Sequence, residues 1–312
     1  MSRTFPTPAI RRKLSSARYA YQLRGVDPSR SPSENFAGCT DGQWLWANTA
    51  GARNSARLRG SLPTLPNPGL QRSTTGADGD ATLREGYRFY RLVKQSADAR
   101  HPGGFKACRD VVDFGCGWGR MARFFLKDVA PERLVGLDCV PAMVEAATAT
   151  NRWSVFEAIG PLPPAPVEAA SVDLIYAYSV FSHLSEEAHA KWLAEFRRIL
   201  RPGGVAVLTT RARSFFADCE RLRLEGAQDA PGRTAADAFG DASRWRPRYD
   251  AGEFCHASIG LSGALDDSFY GETAIPESYV RRVWSQWFDV MDWVDDRSRC
   301  AQAVAVLRRP DQ

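Results

Sequence analysis

The sequence predicts an α/β protein built on a doubly wound, mostly parallel sheet. From about residue 109 onward, short apolar runs alternate with amphipathic stretches of helical length, a pattern typical of parallel βαβ units. One run, residues 172–178, is apolar at nearly every position, as expected of a strand buried on both faces. An earlier run ends in alternate glycines, in VVDFGCGWGR at residues 111–120. These observations predict a central sheet with a ligand site beyond its first strand.

Each element is predicted from its local pattern. Apolar and β-branched runs predict strands at 110–114, 134–137, 153–158, 172–178, 205–210, 288–294 and 301–308. Amphipathic spacing predicts helices between them, at 121–127, 141–150, 186–200 and 276–286. The turn RPGG at residues 201–204 is expected to end the helix before it and to precede the fifth strand.

Two segments depart from this alternation. Residues 1–100 hold helical patterns at 8–24 and 82–100, separated by stretches rich in turn residues, and we interpret them as a helical, loop-rich cap. Residues 101–312 are expected to form the main domain, with an insertion at about 211–270. Within that insertion a helical pattern at 213–226 precedes a polar stretch at 226–250, which we interpret as a surface excursion.

Composition excludes some classes of protein and leaves others open. No stretch of 18 apolar residues occurs, so no membrane span is expected. The seven cysteines are scattered without a C-x-x-C pair, which favours reduced thiols and a cytoplasmic location. No His, Asp or Glu cluster has metal-ligand spacing. Residues 1–100 hold 16 Lys/Arg against 7 Asp/Glu, and this excess could attract an anionic partner or simply be solvated.

The glycine-rich turn and a later acid indicate a nucleoside-type cofactor. The first strand carries Asp113, and Gly115, Gly117 and Gly119 follow it in the turn, where glycine lets the backbone approach a ligand closely. Asp138 ends the second strand, and a carboxylate there can accept both hydroxyl groups of a ribose.

Two cofactors fit this layout. Gly117-Trp-Gly119-Arg-Met-Ala122 matches a dinucleotide fingerprint, which would make the protein a nicotinamide-dependent oxidoreductase. That reading leaves Asp113 and Gly115 without a role. Read as Asp-x-Gly-x-Gly-x-Gly, the same stretch uses all four residues, with Asp113 facing the amino-acid end of a compact nucleoside.

The sequence resembles the class I S-adenosylmethionine-dependent methyltransferases. Four stretches in order carry the resemblance: VVDFGCGWGR (111–120), LVGLDCVPAMVEAA (134–147), SVDLIYAYSVFSHLSEE (171–187) and FRRILRPGGVAVLTT (196–210). The family implies a Rossmann-like sheet of seven strands whose last strand is antiparallel, and S-adenosylmethionine as cofactor. The SVFSHL run most resembles bacterial members that act on sugars or small metabolites.

The resemblance assigns the cofactor residues position by position. Asp113, Gly115, Gly117 and Gly119 would form the cofactor loop, and Asp138 would hold the ribose beside an adenine flanked by Cys139. Tyr178 and Ser179, after the fourth strand, would flank the methionine part. Family members often place an acid against the adenine amino group, whereas here Ile159 stands at that place and Glu157 comes slightly earlier.

The acceptor is expected to be a small molecule or a glycan, methylated at a hydroxyl oxygen. Removal of a hydroxyl proton calls for a base, and His183 is the first candidate because it follows the fourth strand. His256, Tyr270 and Glu272 are candidates for the acceptor pocket, and His189 is expected to face solvent.

Methylation of nucleic-acid bases is disfavoured, because Ala177-Tyr178-Ser179-Val180 replaces the Asn/Asp-Pro-Pro-aromatic run of the enzymes that perform it. Methylation of RNA ribose stays open through the basic N-terminal region. A domain that binds the cofactor but has no catalytic activity is a further alternative.

Overall fold

A computed structural model describes Tyr19, residues 25–260 and residues 265–312. The helix that the sequence predicts over 8–24 lies outside the described residues, except for Tyr19. Among the described residues, no helix is both long and apolar enough to cross a membrane. All seven cysteines are free thiols.

A seven-stranded sheet forms the centre of the molecule, in the order β3-β2-β1-β4-β5-β9-β8. The first five strands pair in parallel with one another, and β9 is antiparallel to both β5 and β8. This topology confirms the predicted doubly wound fold and its antiparallel last strand. A separate two-stranded sheet consists of β6 and β7. The strands of the described residues are β1 Val111–Phe114, β2 Leu134–Asp138, β3 Val155–Ala158, β4 Val172–Ala177, β5 Leu200–Thr210, β6 Cys255–Ala257, β7 Glu272–Ala274, β8 Asp289–Val294 and β9 Ala303–Arg308.

Helices pack on both faces of the sheet, and several of them precede its first strand in the sequence. The described residues contain α1 Pro32–Phe36, α2 Asp41–Trp46, α3 Ala52–Asn54, α4 Ala56–Gly60, α5 Pro68–Thr75, α6 Gly79–Arg100, α7 Ala122–Phe125, α8 Pro141–Thr150, α9 Glu186–Ile199, α10 Ser214–Glu225, α11 Ala230–Phe239, α12 Ala242–Asp250 and α13 Glu277–Val283. A π-helical turn at Ala47–Gly51 and 3₁₀ turns at Phe105–Ala107, Pro131–Arg133 and Trp284–Gln286 complete the set.

The fifth strand begins earlier than the sequence predicts. β5 starts at Leu200 and includes the RPGG turn, and its register against β4 shifts between Val172 and Leu174. Gly203 donates its N–H to the Arg309 carbonyl, and Arg309 donates back to Gly204. These two bonds keep the turn in the sheet, so the prediction of a strand at 205–210 was wrong at its beginning.

Two apolar layers enclose the sheet because strand side chains alternate between its faces. On one face Tyr176 packs with Phe89 and Tyr90 of α6 and with Phe125 of α7. On the other face the packing is against α9 and the segment that follows α13, through Trp192, Phe196 and Trp284 among others. Helix α6 therefore packs directly on the sheet and brings its side chains to the same sheet edge as the glycine turn.

The polar stretch 226–250 is not a surface excursion. It forms α11 and α12, whose Phe239, Trp245 and Tyr249 pack with Phe216 of α10 in a third apolar cluster. The aromatic residues are spaced widely along a polar sequence, so no local window shows an apolar face. The prediction was wrong because this burial depends on three helices meeting.

Candidate functional site

A cavity of about 610 Å³ opens beyond the carboxyl ends of β1, β2 and β4. This is the edge at which open α/β sheets bind ligands, and the volume lies within the range of small-molecule sites. Nine of the twelve residues that the sequence singles out line this cavity: Gly115, Gly117, Asp138, Cys139, Tyr178, Ser179, His183, Tyr270 and Glu272.

The glycine turn is held in place by the end of β2. Gly115 and Cys116 both donate N–H groups to the Leu137 carbonyl, at 2.8 and 3.1 Å. Gly117 has a φ of +51°, and a Cβ on it would meet no atom within 4 Å. The turn thus leaves a backbone-lined recess beside open space, the shape that a closely approaching ligand needs.

Asp138 ties this turn to the second strand. Its carboxylate accepts from the Gly117 N–H at 2.8 Å and from the Val140 N–H at 2.9 Å. Burial raises the pKa of this carboxyl above its ordinary value, while these backbone bonds oppose the shift. Each oxygen has a second lone pair, so the carboxylate can accept further hydrogen bonds from a ligand.

Asp113 and Gly119 do not line the cavity. The Asp113 carboxylate is buried beneath the turn, where it accepts from the Ala122 N–H at 3.0 Å. Gly119 has a φ of +79°, and a Cβ there would lie 3.1 Å from the Phe156 ring and 3.6 Å from Ala147. Both residues are used to build the turn, so the structure does not place them against the space in which the sequence predicts a cofactor.

The position that follows the third strand holds an apolar side chain at the cavity wall, at the place that the sequence indicates. Ile159 lines the cavity together with Cys139, and Glu157 does not. Burial raises the pKa of the Cys139 thiol to about 11, so this side chain is neutral and apolar at neutral pH. The two side chains form an apolar slot next to Asp138, which suits the flat face of a nucleobase.

A charged group that the sequence reading missed lies on the other side of the turn. Arg120 donates to Glu85 of α6 at 2.7 Å and to the Thr82 hydroxyl at 3.0 Å. Tyr178 donates its phenolic hydrogen to the second Glu85 oxygen at 2.6 Å. Glu85 and Arg120 both line the cavity, but no motif marks either residue, since their contact joins separate segments of the chain.

Ser179 follows β4 in a conformation that non-glycine residues rarely adopt. Its φ is +61°, a strain of the kind that often marks functional sites. The Thr209 hydroxyl accepts its N–H at 2.7 Å, and Gln302, also missed, donates its side-chain amide to the Ser179 hydroxyl at 2.9 Å. β5 and the residue just before β9 thus fix Ser179 in the cavity wall.

His183 is held as a neutral imidazole with one nitrogen directed to the cavity side. Its Nδ1 lies 3.0 Å from the Gly271 carbonyl, which can only accept, so Nδ1 carries the hydrogen. Nε2 is then an acceptor, and it lies 3.5 Å from the Ser179 hydroxyl. Burial lowers the pKa of His183 below its ordinary 6.5, although the Glu272 carboxylate opposes the shift. Tyr270 stacks on the ring at 5.0 Å between centroids.

The remaining two histidine predictions are corrected. His256 is not on the cavity wall; its Nδ1 lies 2.8 Å from the Thr273 hydroxyl within the β6–β7 pair. His189 does not face solvent, since only 2 % of it is exposed. Both of its ring nitrogens lie against carbonyls, those of Ser185 and Phe181. Tertiary packing of α9 against the residues around Phe254 covers a position that helical spacing had placed outside.

Two helices close the cavity opposite the sheet. The end of α5 contributes residues 73–76, and the start of α11 contributes Ala230, Pro231 and Thr234; we call these residues the roof. The two helices contact each other. The roof therefore joins the N-terminal region to the 211–270 insertion directly above the glycine turn.

The site fits S-adenosylmethionine. The open recess at Gly117, the carboxylate of Asp138 and the apolar slot of Cys139 and Ile159 match a loop contact, a ribose and an adenine in that order along the sheet edge. Among the described residues, no group of three or more His, Cys, Asp or Glu side chains is placed to hold a metal ion.

Comparison with known proteins agrees with this geometry. Residues 111–204 match the family model described as a methyltransferase domain. The chain is 36 % identical over 167 residues to a malonyl-[acyl-carrier protein] O-methyltransferase of Hahella chejuensis, covering 52 % of this chain and 54 % of that protein. It is 38 % identical over 131 residues to a probable S-adenosylmethionine-dependent methyltransferase of Mycolicibacterium smegmatis, covering 42 % and 47 %.

The chain is also similar to two further proteins. A trans-aconitate 2-methyltransferase of Azoarcus is 33 % identical over 133 residues, covering 42 % of this chain and 48 % of that protein. A solved methyltransferase structure from Clostridium acetobutylicum aligns with a TM-score of 0.47 and 13 % identity, over 72 % of this chain and 91 % of that one. The chain thus spans about half the length of the named relatives that it matches.

Proposed function

We propose that this chain, whose residues 111–204 match a methyltransferase domain, is a class I S-adenosylmethionine-dependent methyltransferase that transfers a methyl group to a hydroxyl oxygen of a small-molecule or glycan acceptor. The observation that carries the proposal is the state of His183. Its Nδ1–H is fixed on the Gly271 carbonyl, its pKa is lowered by burial, and its Nε2 is an acceptor on the cavity side. A neutral imidazole so oriented is suited to accept a hydroxyl proton.

Besides a base, methyl transfer mainly needs the protein to position the acceptor next to the cofactor. The bound cofactor supplies a methyl group on a sulfonium centre with a neutral leaving group. His183 Nε2 would take the proton of the acceptor hydroxyl as that oxygen becomes the nucleophile, and would later release the proton to solvent. The cavity walls align the acceptor and exclude water, which accounts for much of the rate enhancement in such transfers.

For the cofactor, we assign the half of the cavity built by the glycine turn. Gly115 and Gly117 would line its methionine and ribose portions, Asp138 would accept the ribose hydroxyls, and Cys139 and Ile159 would cover the adenine. Tyr178, held by Glu85, would border the methionine end. Asp113 and Gly119 are assigned to support of the turn.

For the acceptor, we assign the half of the cavity next to His183. The region 1–100 and the insertion at about 211–270 would form this side, as the cap and the variable part of the domain. The names of two relatives, trans-aconitate 2-methyltransferase and malonyl-[acyl-carrier protein] O-methyltransferase, support an oxygen atom or a small acidic acceptor for this kind of domain.

Calorimetry tests the cofactor first. S-Adenosylhomocysteine should bind the chain with micromolar affinity while NADH does not. Gly117→Arg, which fills the open recess, and Asp138→Ala should each abolish binding. Binding of NADH alone would support the oxidoreductase alternative, and no binding of either compound would overturn the proposed function.

A pH–rate profile then tests His183. With a labelled methyl group and an acceptor found by screening, kcat/KM should fall on the acid side below pH 6.5, because the pKa of His183 is lowered from that value. His183→Gln should lower kcat by roughly 10²- to 10⁴-fold and remove this acid limb. Cofactor binding without turnover of any screened acceptor would support the catalytically silent alternative.

A further inference from the structure

Arg211 lies on the acceptor side of the cavity, next to the proposed base. It follows β5, and its carbonyl accepts from the Ile275 N–H at 3.3 Å, so the end of β5 is tied to the strand that carries Glu272. The Glu272 carboxylate lies between two neighbours, with one oxygen 3.5 Å from His183 Nδ1 and the other 3.8 Å from Arg211 Nη2. The guanidinium and the imidazole are therefore on one wall, separated by a single carboxylate.

The guanidinium of Arg211 packs on an aromatic ring but makes no hydrogen bond to a described residue. A guanidinium has five N–H donors, yet no described residue accepts a hydrogen bond from Arg211, and its Nε is buried without a partner. Its plane packs over the Phe215 ring at 4.3 Å, and its side chain is 22 % exposed. Arg120, the other arginine of the cavity, differs because Glu85 and Thr82 bind it directly.

The charges of Arg211 and Glu272 determine which kind of ligand group can bind the Arg211 guanidinium. An unsatisfied guanidinium in a cavity favours an oxyanion, and a carboxylate matches two of its parallel N–H groups. Glu272 already brings one negative charge to this wall at 3.8 Å, so a doubly charged phosphate would be repelled more strongly than a singly charged carboxylate.

We propose that the acceptor is a hydroxy acid whose carboxylate binds Arg211 while its hydroxyl group faces His183 Nε2. This inference rests on the proposed function, since it names the class of acceptor for that same site. Leu265, Phe269 and Tyr270 also line this part of the cavity, and they would contact the apolar body that joins the two groups. Arg211 is then a specificity-determining residue that anchors the acceptor at its far end.

Calorimetry on the protein saturated with S-adenosylhomocysteine tests this inference. The probes are 4-hydroxybenzoate and lactate, each paired with its neutral amide, and 4-hydroxyphenyl phosphate as the dianion. For at least one pair we expect the carboxylate to bind about ten-fold more tightly than its amide, because a charged hydrogen-bonded pair is lost in the amide. Arg211→Gln should reduce that ratio to below about three-fold, and Arg211→Lys should retain part of it.

Arg213→Gln is the matched control, because Arg213 is two residues away, pairs with Asp250 at the surface and does not line the cavity. It should leave the ratio unchanged. No preference for a carboxylate in the wild type, a preference that survives in Arg211→Gln, or tighter binding of the phosphate would overturn the inference.

The first step of the same experiment separates this inference from the proposed function. If S-adenosylhomocysteine does not bind the wild type, the proposed function fails, and the inference fails with it. If S-adenosylhomocysteine binds the wild type and Arg211→Gln equally, the variant is folded and the cofactor assignment stands. A missing carboxylate preference then counts against the hydroxy acid alone.

Discussion

Gly117 and Gly119 lie in the same turn, and both have positive φ angles, but their surroundings differ. A side chain on Gly117 would enter open space in the cavity, whereas one on Gly119 would press on Phe156 and Ala147. The sequence presents the two residues as equivalent members of one motif. Their separate roles, contact with a ligand and support of the turn, depend on what packs behind each.

Alanine substitution should distinguish the two glycines. Gly117→Ala should destabilise the fold by about 1–2 kcal/mol through its left-handed conformation and weaken S-adenosylhomocysteine binding by about ten-fold or more. Gly119→Ala should destabilise more, by about 2–4 kcal/mol, because overpacking against Phe156 is added, with less effect on binding. Urea unfolding and calorimetry measure the two quantities, and equal losses of affinity would contradict the distinction.

Asp113 gives a second prediction at this scale, through pH. Burial raises the pKa of Asp113 from 3.8 to about 7. The unfolded chain therefore loses this proton near pH 4 while the folded chain keeps it to about pH 7, so ionisation of Asp113 removes stability as pH rises through that window. Asp113→Asn, which keeps an oxygen for the Ala122 N–H, should relieve this loss.

We expect the stability gained by Asp113→Asn to be larger at pH 8 than at pH 5 by roughly 2–3 kcal/mol, measured by urea unfolding at both values. Because the Asp113 carboxylate does not line the cavity, S-adenosylhomocysteine should still bind the variant. A stability difference that does not change with pH would contradict the raised pKa of the buried Asp113 carboxyl. Loss of S-adenosylhomocysteine binding would indicate that Asp113 contacts the cofactor.

At the scale of elements, α6 connects the N-terminal region to the sheet edge at which the cavity opens. The helix buries Leu83, Phe89 and Tyr90. The same turn of the helix places Glu85 where Arg120 and Tyr178 can reach it. One helix therefore serves both the core and the cavity wall.

Glu85→Ala should be costly because it leaves Arg120, which is 8 % exposed, without its carboxylate. Removing one partner of a largely buried pair costs about 2–4 kcal/mol of unfolding free energy, measurable by urea denaturation. Asp80→Ala on the same helix is the control. Asp80 pairs with the exposed Arg53 and Arg84, so about 1 kcal/mol or less should be lost. Equal costs for the two variants would argue against a buried role for the Glu85 pair.

At the scale of the whole molecule, the cavity is enclosed by parts of the chain that are far apart in sequence. The sheet edge supplies its floor, and the roof comes from α5 and α11. Both roof helices are short and are linked by loops, so local opening there costs less free energy than opening of the sheet. A ligand that contacts the floor and the roof together would stabilise both.

Hydrogen exchange tests this arrangement. On saturation with S-adenosylhomocysteine, the backbone amides of residues 68–76 and 230–239 should exchange at least about ten-fold more slowly, because the bound ligand suppresses local opening. Helix α13, which lies outside the cavity lining, should show no change. Protection limited to the glycine turn would indicate that the roof takes no part in binding.

The sequence by itself determined the succession of strands and helices along the chain, and the glycine turn with its acid at the end of β2. These features depend on residues that are close in sequence: alternating apolar runs define β1, β2 and β4, and glycines at alternate positions define one turn. They were therefore readable without a structure. The beginning of β5 was not, because Gly203 and Gly204 are kept in the sheet by Arg309, far along the chain.

Only the tertiary structure decided which residues meet at the site. Glu85 reaches Tyr178 across 93 residues, and His183 reaches the Gly271 carbonyl across 88. Arg211 and Glu272 come together because β5 and β7 end side by side. The same packing buries His189 and removes Asp113 from the cavity. Local pattern cannot supply such pairings, because which distant segments become neighbours is set by the burial of apolar faces in the whole fold.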